Sequence, residues 1–314
     1  MKLLTAKVYQ EIKIWMYRNA RPIELALWQY YFENGSKEAV LNYLSYYQNE
    51  DGGFGNALEA DSWNPNSSPY TTVKAINLLK KIEFEDNEHP IIKGIMKYLE
   101  SNEHSSEQGW NFNIPSNNDY PHAPWWTYKN EVNSVEGIGV TAEIVGFIFR
   151  HYSKDSDMYN KAFELTEYLL GKLYNTESYG DMGIGGYCEL LEDMEQAELS
   201  CDFDLDALKD KLVPVVNFAI VRDTSKWENY SVRPSEYITS PESIFYEYNE
   251  FIVSQELDYL IETRPQNNVW DITWSWFENN AIYAKEFAIS ENWWKASKAI
   301  EKMNFLRKFN RIEQ

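Results

Sequence analysis

Four residues combine type and placing for acid–base chemistry: Glu59, Asp61, His122 and Glu143. Glu59 and Asp61 stand two apart in Gly55-Asn-Ala-Leu-Glu-Ala-Asp-Ser-Trp-Asn-Pro65, just ahead of a helix start at Ser68-Pro69. Two such carboxylates share acid and base work when their surroundings separate their pKa values; the plainer alternative is turn and cap bonding by Asp and Asn. His122 lies in Asp119-Tyr-Pro-His-Ala-Pro-Trp-Trp126, where two prolines hold an imidazole and an indole pair in a stiff segment. Rigid aromatics beside a titratable ring make a binding wall, or else Trp125 and Trp126 plug one end of a helical barrel and His122 is a hydrogen-bonded structural residue. Glu143 is the most informative, because it interrupts the apolar run Ile138–Phe149, IGVTAEIVGFIF. A buried carboxylate must be paired, protonated or turned to a wet cavity. A raised pKa would suit it to donate a proton; a buried Lys, Arg or backbone partner is the structural alternative. Trp63, Trp125, Trp126, Tyr237, Trp274 and Trp276 are the candidates for an aromatic ligand wall, with core packing as the competing use.

These side chains must be positioned by helices. Val73, Ile76, Leu79 and Ile82 recur every three residues between Thr71 and Ile82, while Lys74, Asn77 and Lys81 take the opposite face. Asp204–Ala219 repeats the pattern, with Pro214 expected to kink or split it. Ile138–Phe149 is apolar on nearly every side and predicts an inner-layer helix. Ser68-Pro69 and Ser240-Pro241 each place a capping serine before a proline, and both are expected to open helices. The long connections Asn49–Pro69 and Ser105–Gly137 are rich in Gly, Asn, Trp and Pro, and loops of that length usually serve a function.

Composition narrows the partners. The chain has 314 residues, with 29 Lys and Arg against 49 Asp and Glu, a formal charge of -20. That balance opposes nucleic acid and anionic membrane surfaces. The 44% of hydrophobic residues, with 23 Tyr, 15 Phe and 12 Trp, can fill a large core and still face a cavity. No linker divides the sequence, so one domain over residues 1–314 is expected. Cys188 and Cys201 are the only cysteines and lack CxxC spacing. The mean hydropathy is -0.56; with no signal-like segment and no run of about 18 apolar residues, a cytoplasmic protein without a membrane span is expected.

Helix ends repeat. Leu41–Gln48 leads into Asp51-Gly-Gly-Phe54, and Ile95–Leu99 leads into Gln108-Gly-Trp110; weaker echoes precede Gly185-Gly-Tyr187, Trp227 and Trp270–Trp276. These five units are spaced by about 40 to 75 residues. A helical hairpin cannot bury its own apolar face, so such units stack, and about six close into a ring of inner and outer helices.

Through Gln48-Asn-Glu-Asp-Gly-Gly-Phe-Gly55, followed by Ser68-Pro69 and Thr72-x-x-Ala75, the sequence resembles the terpenoid cyclase and protein prenyltransferase toroid superfamily. The resemblance spans roughly residues 35 to 280 and implies an all-α fold, an α/α toroid with a central cavity. It also implies that the Q-x-x-D-G-G-aromatic turn ties helix ends together, and that the helix from Pro69 is inner, opening at one end of the cavity. The family's chemistry does not carry over. His89, His104, His122 and His151 all precede Cys188 and Cys201, so the Asp, Cys, His zinc set implied for prenyltransferases has no match. Asp202-Phe-Asp-Leu-Asp206 is D-x-D-x-D rather than the cyclase D-x-D-D, and reads as acid at a helix N-terminus. No metal site and no cofactor is expected.

Three functions remain open. One is a cyclase- or prenyltransferase-like toroid binding an apolar or amphipathic, isoprenoid-like molecule in an aromatic, acidic cavity, with or without catalysis that needs no metal. A second is a carbohydrate-active hydrolase or lyase using Asp61 and Glu143, whose carboxyls would then stand about 5 to 9.5 Å apart. The third is a non-catalytic binding or scaffold protein.

Overall fold

The computed structural model describes residues 2–176 and 178–313. Among them lie α1 (Ala6–Asn19), α2 (Pro22–Phe32), α3 (Lys37–Ser45), α4 (Pro69–Lys81), α5 (Pro90–Glu100), α6 (Asn133–His151), α7 (Asp157–Asn175), α8 (Gly180–Gln196), α9 (Leu205–Ala219), α10 (Glu250–Thr263) and α11 (Ala284–Lys308). The strands among the described residues are a short antiparallel pair, β1 (Ser105–Ser106) and β2 (Gly109–Trp110). The chain is all-α, as helical spacing predicts. By contact it divides into two compact units, Leu44–Val215 and the combined segments Met1–Tyr43 and Val216–Gln314.

The unit Leu44–Val215 is built on α6, in which every residue from Gly137 to Phe149 is buried. α6 lies along α8 at glycine distance: a Cβ on Gly139 would come 2.6 Å from the Met182 carbonyl oxygen, and one on Gly186 2.6 Å from Gly139 Cα. That stacking covers one side of α6, while α4 and α7 pack on others, which explains why its sequence is apolar all round. The stretch Asn130–His151 is long and apolar enough to cross a membrane, but 72% of its most apolar window is buried inside the protein. α4 starts where its sequence directs, with Ser68 Oγ accepting the Thr71 N–H at 3.1 Å and Pro69 in the first turn. Val73, Ile76 and Leu79 go to the core. Tyr70, Lys74 and Asn77, at i, i+4 and i+7, share another face.

The repeated turns use the same hydrogen bond. Phe54 N–H donates to Thr72 Oγ1 of α4 at 3.1 Å, and Trp110 N–H donates to Thr141 Oγ1 of α6 at 2.9 Å. Both aromatic rings are buried. In the first turn Gln48 Nε2 donates to Gly52 O at 2.9 Å and to Ile91 O, in the first turn of α5, at 3.0 Å. Gly52, at φ 95°, occupies backbone space that favours glycine.

Three local expectations are corrected. Gly185-Gly-Tyr187 is no turn but lies inside α8. Pro214 does not split α9, which runs continuously past it with Leu208 and Leu212 buried before it and Val216 after it. Ser240-Pro241 opens no helix; successive turns follow until α10 begins at Glu250, because no helical apolar spacing supports the local start signal there.

In the other unit, α11 packs on α1, α2 and α10, burying Ile12, Met16, Trp28, Leu257, Leu260 and Met303. Leu4 pairs with Ile312 as an isolated parallel bridge, and Arg311 Nε donates to Lys2 O at 2.6 Å.

Candidate functional site

The two long loops meet edge to edge. Trp63 N–H donates to Pro121 O and Ala123 N–H to Asp61 O, both at 2.9 Å, around an antiparallel bridge between Ser62 and His122. Asp61 and His122, 61 residues apart in sequence, are thereby brought together, and both are buried. His122 Nδ1 lies 2.6 Å from Tyr120 O and Nε2 lies 3.1 Å from Thr127 Oγ1. A carbonyl only accepts, so Nδ1 carries the proton, and both ring nitrogens are engaged within the loop. Asparagines complete the frame: Asn64 Nδ2 donates to Asn117 Oδ1 at 2.9 Å, Asn117 Nδ2 to Trp126 O at 3.1 Å, and Asn113 Nδ2 to Trp125 O at 3.1 Å. These bonds fix the backbone of the Trp125–Trp126 pair, of which Trp126 is buried and Trp125 is 36% exposed.

Behind this seam stands an aromatic wall. The Trp126 ring lies 4.7 Å from Phe112, stacked, and 4.4 Å from Tyr70 of α4. Its buried Nε1 finds no hydrogen-bond partner among the described residues. Lys74 Nζ lies 5.4 Å from the centre of the Tyr70 ring and 3.4 Å from Glu59 Oε2. Glu59 is 3% exposed; its Oε1 accepts the Asp61 N–H at 3.3 Å, and its Oε2 accepts no hydrogen bond among the described residues. Glu59 is thus placed against Lys74 of α4.

One turn further along α4, Asn77 Nδ2 donates to Glu143 Oε2 at 2.5 Å. Burial pushes the Glu143 carboxyl up to about 7, and the Glu189 charge adds to the effect; the Asn77 bond, Lys80 and Lys74 oppose it. Glu143 therefore has a hydrogen-bond partner and also holds a proton near neutrality. Further along, Lys80 Nζ binds Glu189 at 2.5 Å and Asp193 at 3.0 Å, and Arg150 reaches Asp193 at 3.2 Å and also pairs with Glu85. Burial, and then Glu189, push Glu192 up to about 7. The faces of α4, α6 and α8 thus share one run of charge, in which Lys74, Lys80 and Arg150 face Glu59, Glu85, Glu143, Glu189, Glu192 and Asp193. Its rim is open to water, since the Lys74 and Glu189 side chains are 32% and 41% exposed.

Sequence reasoning did not find Lys74, Asn77, Lys80, Asp193 or Arg150 as site residues. The signal available was the polar face of α4, whose Lys74 and Asn77 line up with Glu143, the one carboxylate in the buried stretch of α6.

The remaining candidates stand elsewhere. Tyr237, Trp274 and Trp276 belong to the other unit. Trp274 is edge-on to Tyr230 at 6.4 Å and Trp294 at 5.2 Å, Trp276 is fully buried beside Phe287, and Tyr237 is half-buried after a short 3-10 turn. Asp204 Oδ1 accepts the Ala207 N–H at 2.9 Å, a helix cap on α9. Cys188 is half-buried, and burial pushes its thiol up, away from thiolate chemistry. No group of three or more His, Cys, Asp or Glu among the described residues is arranged to hold a metal ion. Set beside known proteins, the chain matches no family model, no curated protein and no solved structure.

Proposed function

We propose that the chain is an α/α toroid akin to the terpenoid cyclases and protein prenyltransferases, and that it binds a small apolar or amphipathic molecule against Tyr70, Phe112 and Trp126, with Glu143 as proton donor. The paired Phe54–Thr72 and Trp110–Thr141 bonds support the repeat, because equivalent turns clamp equivalent helices. The observation that carries the chemistry is Glu143, a buried carboxyl raised to about 7 whose Oε2 accepts a hydrogen bond from the Asn77 amide. A neutral carboxyl in an aromatic setting can protonate a double bond or a leaving oxygen, and the rings then stabilise the cation formed. Asn77, Lys74 and Lys80 favour the carboxylate that is left.

Glu59 gives the carbohydrate reading a specific form. It and Glu143 both interact with Lys74, so Glu59 joins Asp61 as a candidate for the second carboxylate of such a pair. The test is thermal unfolding of the wild-type chain and Glu143→Gln with prenyl alcohols, prenyl diphosphates and oligosaccharides, followed by product analysis with any stabilising ligand. A ligand at 100 times its Kd raises stability by about 2.7 kcal/mol. Isoprenoid binding that survives Glu143→Gln, with turnover lost, is the expected result. Stabilisation by sugars alone would move the assignment to the second reading, and no ligand response at all would leave a scaffold role.

A further inference from the structure

The unit that does not contain Glu143 holds a second group of buried and half-buried charges with a different chemistry. Lys302 of α11 is half-buried, its Nζ 5.5 Å from the centre of the Trp270 ring. Trp270 is itself 4% exposed and fixed by its Nε1 bond to Leu260 O at 2.8 Å. Arg233 lies over the Tyr259 ring at 5.7 Å, and Lys298, one turn before Lys302, over Trp294 at 5.8 Å. Lys298 is paired with Glu301 at 2.9 Å. Lys302 and Arg233 are not: among the described residues no ion pair or side-chain hydrogen bond holds either. Glu256 of α10, the nearby carboxyl, is 1% exposed and committed to Ser235, whose N–H and Oγ it binds at 2.8 and 2.6 Å. In a chain with 20 excess negative charges, two neighbouring cations left without a carboxylate partner are conspicuous.

We propose that Lys302 is a nucleophilic amine that captures an aldehyde or ketone as a Schiff base, with the Arg233 guanidinium holding an anionic group of the same molecule and the Trp270 indole forming one wall. The amine lone pair attacks the carbonyl carbon, the N–H proton passes to the oxygen, and the carbinolamine loses that oxygen as water, leaving the imine. No oxidant, reductant or cofactor is needed. The surroundings supply what the step requires: burial first, then the Arg233 and Lys298 charges, push the Lys302 ammonium down to about 7, against the weaker pull of Glu301 and Glu256. About half of it is then free amine at pH 7, against less than roughly 0.1% of an ordinary lysine. The Arg233 fork suits a carboxylate or a phosphate.

The test uses the full chain at pH 7 with limiting pyridoxal, pyridoxal 5′-phosphate or glyoxylate as carbonyl probes, reduced with borohydride and mapped by peptide mass spectrometry. Lys302 is expected to be modified at least about 10-fold faster than the exposed Lys93, and Lys302→Arg to lose that label. Inorganic phosphate or acetate should protect Lys302 from pyridoxal, the better protector identifying the anion, and Arg233→Gln should bring the protection ratio to one. Label spread over lysines in proportion to exposure would overturn the proposal even if neither variant folds. Protection unchanged in Arg233→Gln would overturn the role given to the guanidinium.

Discussion

Gly146 of α6 lies directly against Asp193 of α8, so that a Cβ added to the glycine would come 2.2 Å from Oδ2 and 2.9 Å from the aspartate Cβ. Asp193 in turn anchors Lys80 and Arg150, so its carboxyl cannot retreat without breaking two ion pairs. Gly146→Ala is therefore expected to destabilise the protein by roughly 2–4 kcal/mol, read from the urea midpoint at constant m. Gly171 of α7 is exposed, and an added Cβ there would meet nothing within 4 Å, so Gly171→Ala is expected to be neutral or stabilising by up to about 1 kcal/mol.

Glu143 ties stability to pH. Its folded pKa, raised by burial to about 7 from 4.5, means the folded state holds a proton that the unfolded state releases. Stability from this group is thus complete below pH 4.5 and is lost as pH rises toward 7, by roughly 3 kcal/mol at the upper end. Glu143→Gln, which keeps an acceptor for Asn77, should flatten that part of the curve and be the more stable protein at pH 8. Chemical unfolding at pH 5 and pH 8 decides it; equal slopes in the two proteins would mean that Glu143 is ionised in the fold.

His151 works in the opposite direction. Burial first, and the Arg150 charge next, lower its pKa from 6.5 to about 4; its Nδ1 lies 2.5 Å from Asn87 Oδ1 and its ring 4.3 Å from Phe147. The unfolded state takes up the proton first, so stability is present above pH 6.5 and is lost as pH falls toward 4, again by roughly 3 kcal/mol. The imidazole resonance of His151, followed by NMR, should not titrate between pH 5 and 8.

Gln48 should act as a clamp rather than a ligand contact. Its amide joins Gly52 O to Ile91 O, and Gly94 packs on it, a Cβ there falling 2.2 Å from Nε2. Gln48→Ala leaves two carbonyls without that donor and is expected to cost about 1–3 kcal/mol, with no change in the affinity of any ligand that binds beside Glu143.

What could be read from the sequence follows the range of the interaction. α4 and α6 were legible because a three-residue apolar spacing and an all-apolar run are local signals, and Glu143 because one carboxylate inside such a run must be accounted for. The Q-x-x-D-G-G turn was legible because its residues are contiguous, although two of its bonds reach Thr72 and Ile91. The Lys80–Asp193 pair was not, since its partners are separated by 113 positions and each alone looks like a solvated helix charge. Lys302 was hidden for the same reason: nothing near it in sequence announces Arg233 or Trp270. At Ser240-Pro241 the local signal was present and misled, because a cap without an apolar face behind it has nothing to pack against.

The division of the chain also orders its synthesis. Leu44–Val215 is one uninterrupted stretch, whereas the other unit is made from segments on either side of it. On the ribosome the inserted unit, with Glu143 and its lysines, is complete while α1 and α2 still await α11, whose end comes roughly 90 residues later, about 5 to 20 seconds at ordinary elongation rates. For that interval Trp28 and Met16, buried in the finished protein, lack the cover of α11, so exposure to chaperones and proteases during synthesis falls on α1 and α2 rather than on the unit that carries Glu143.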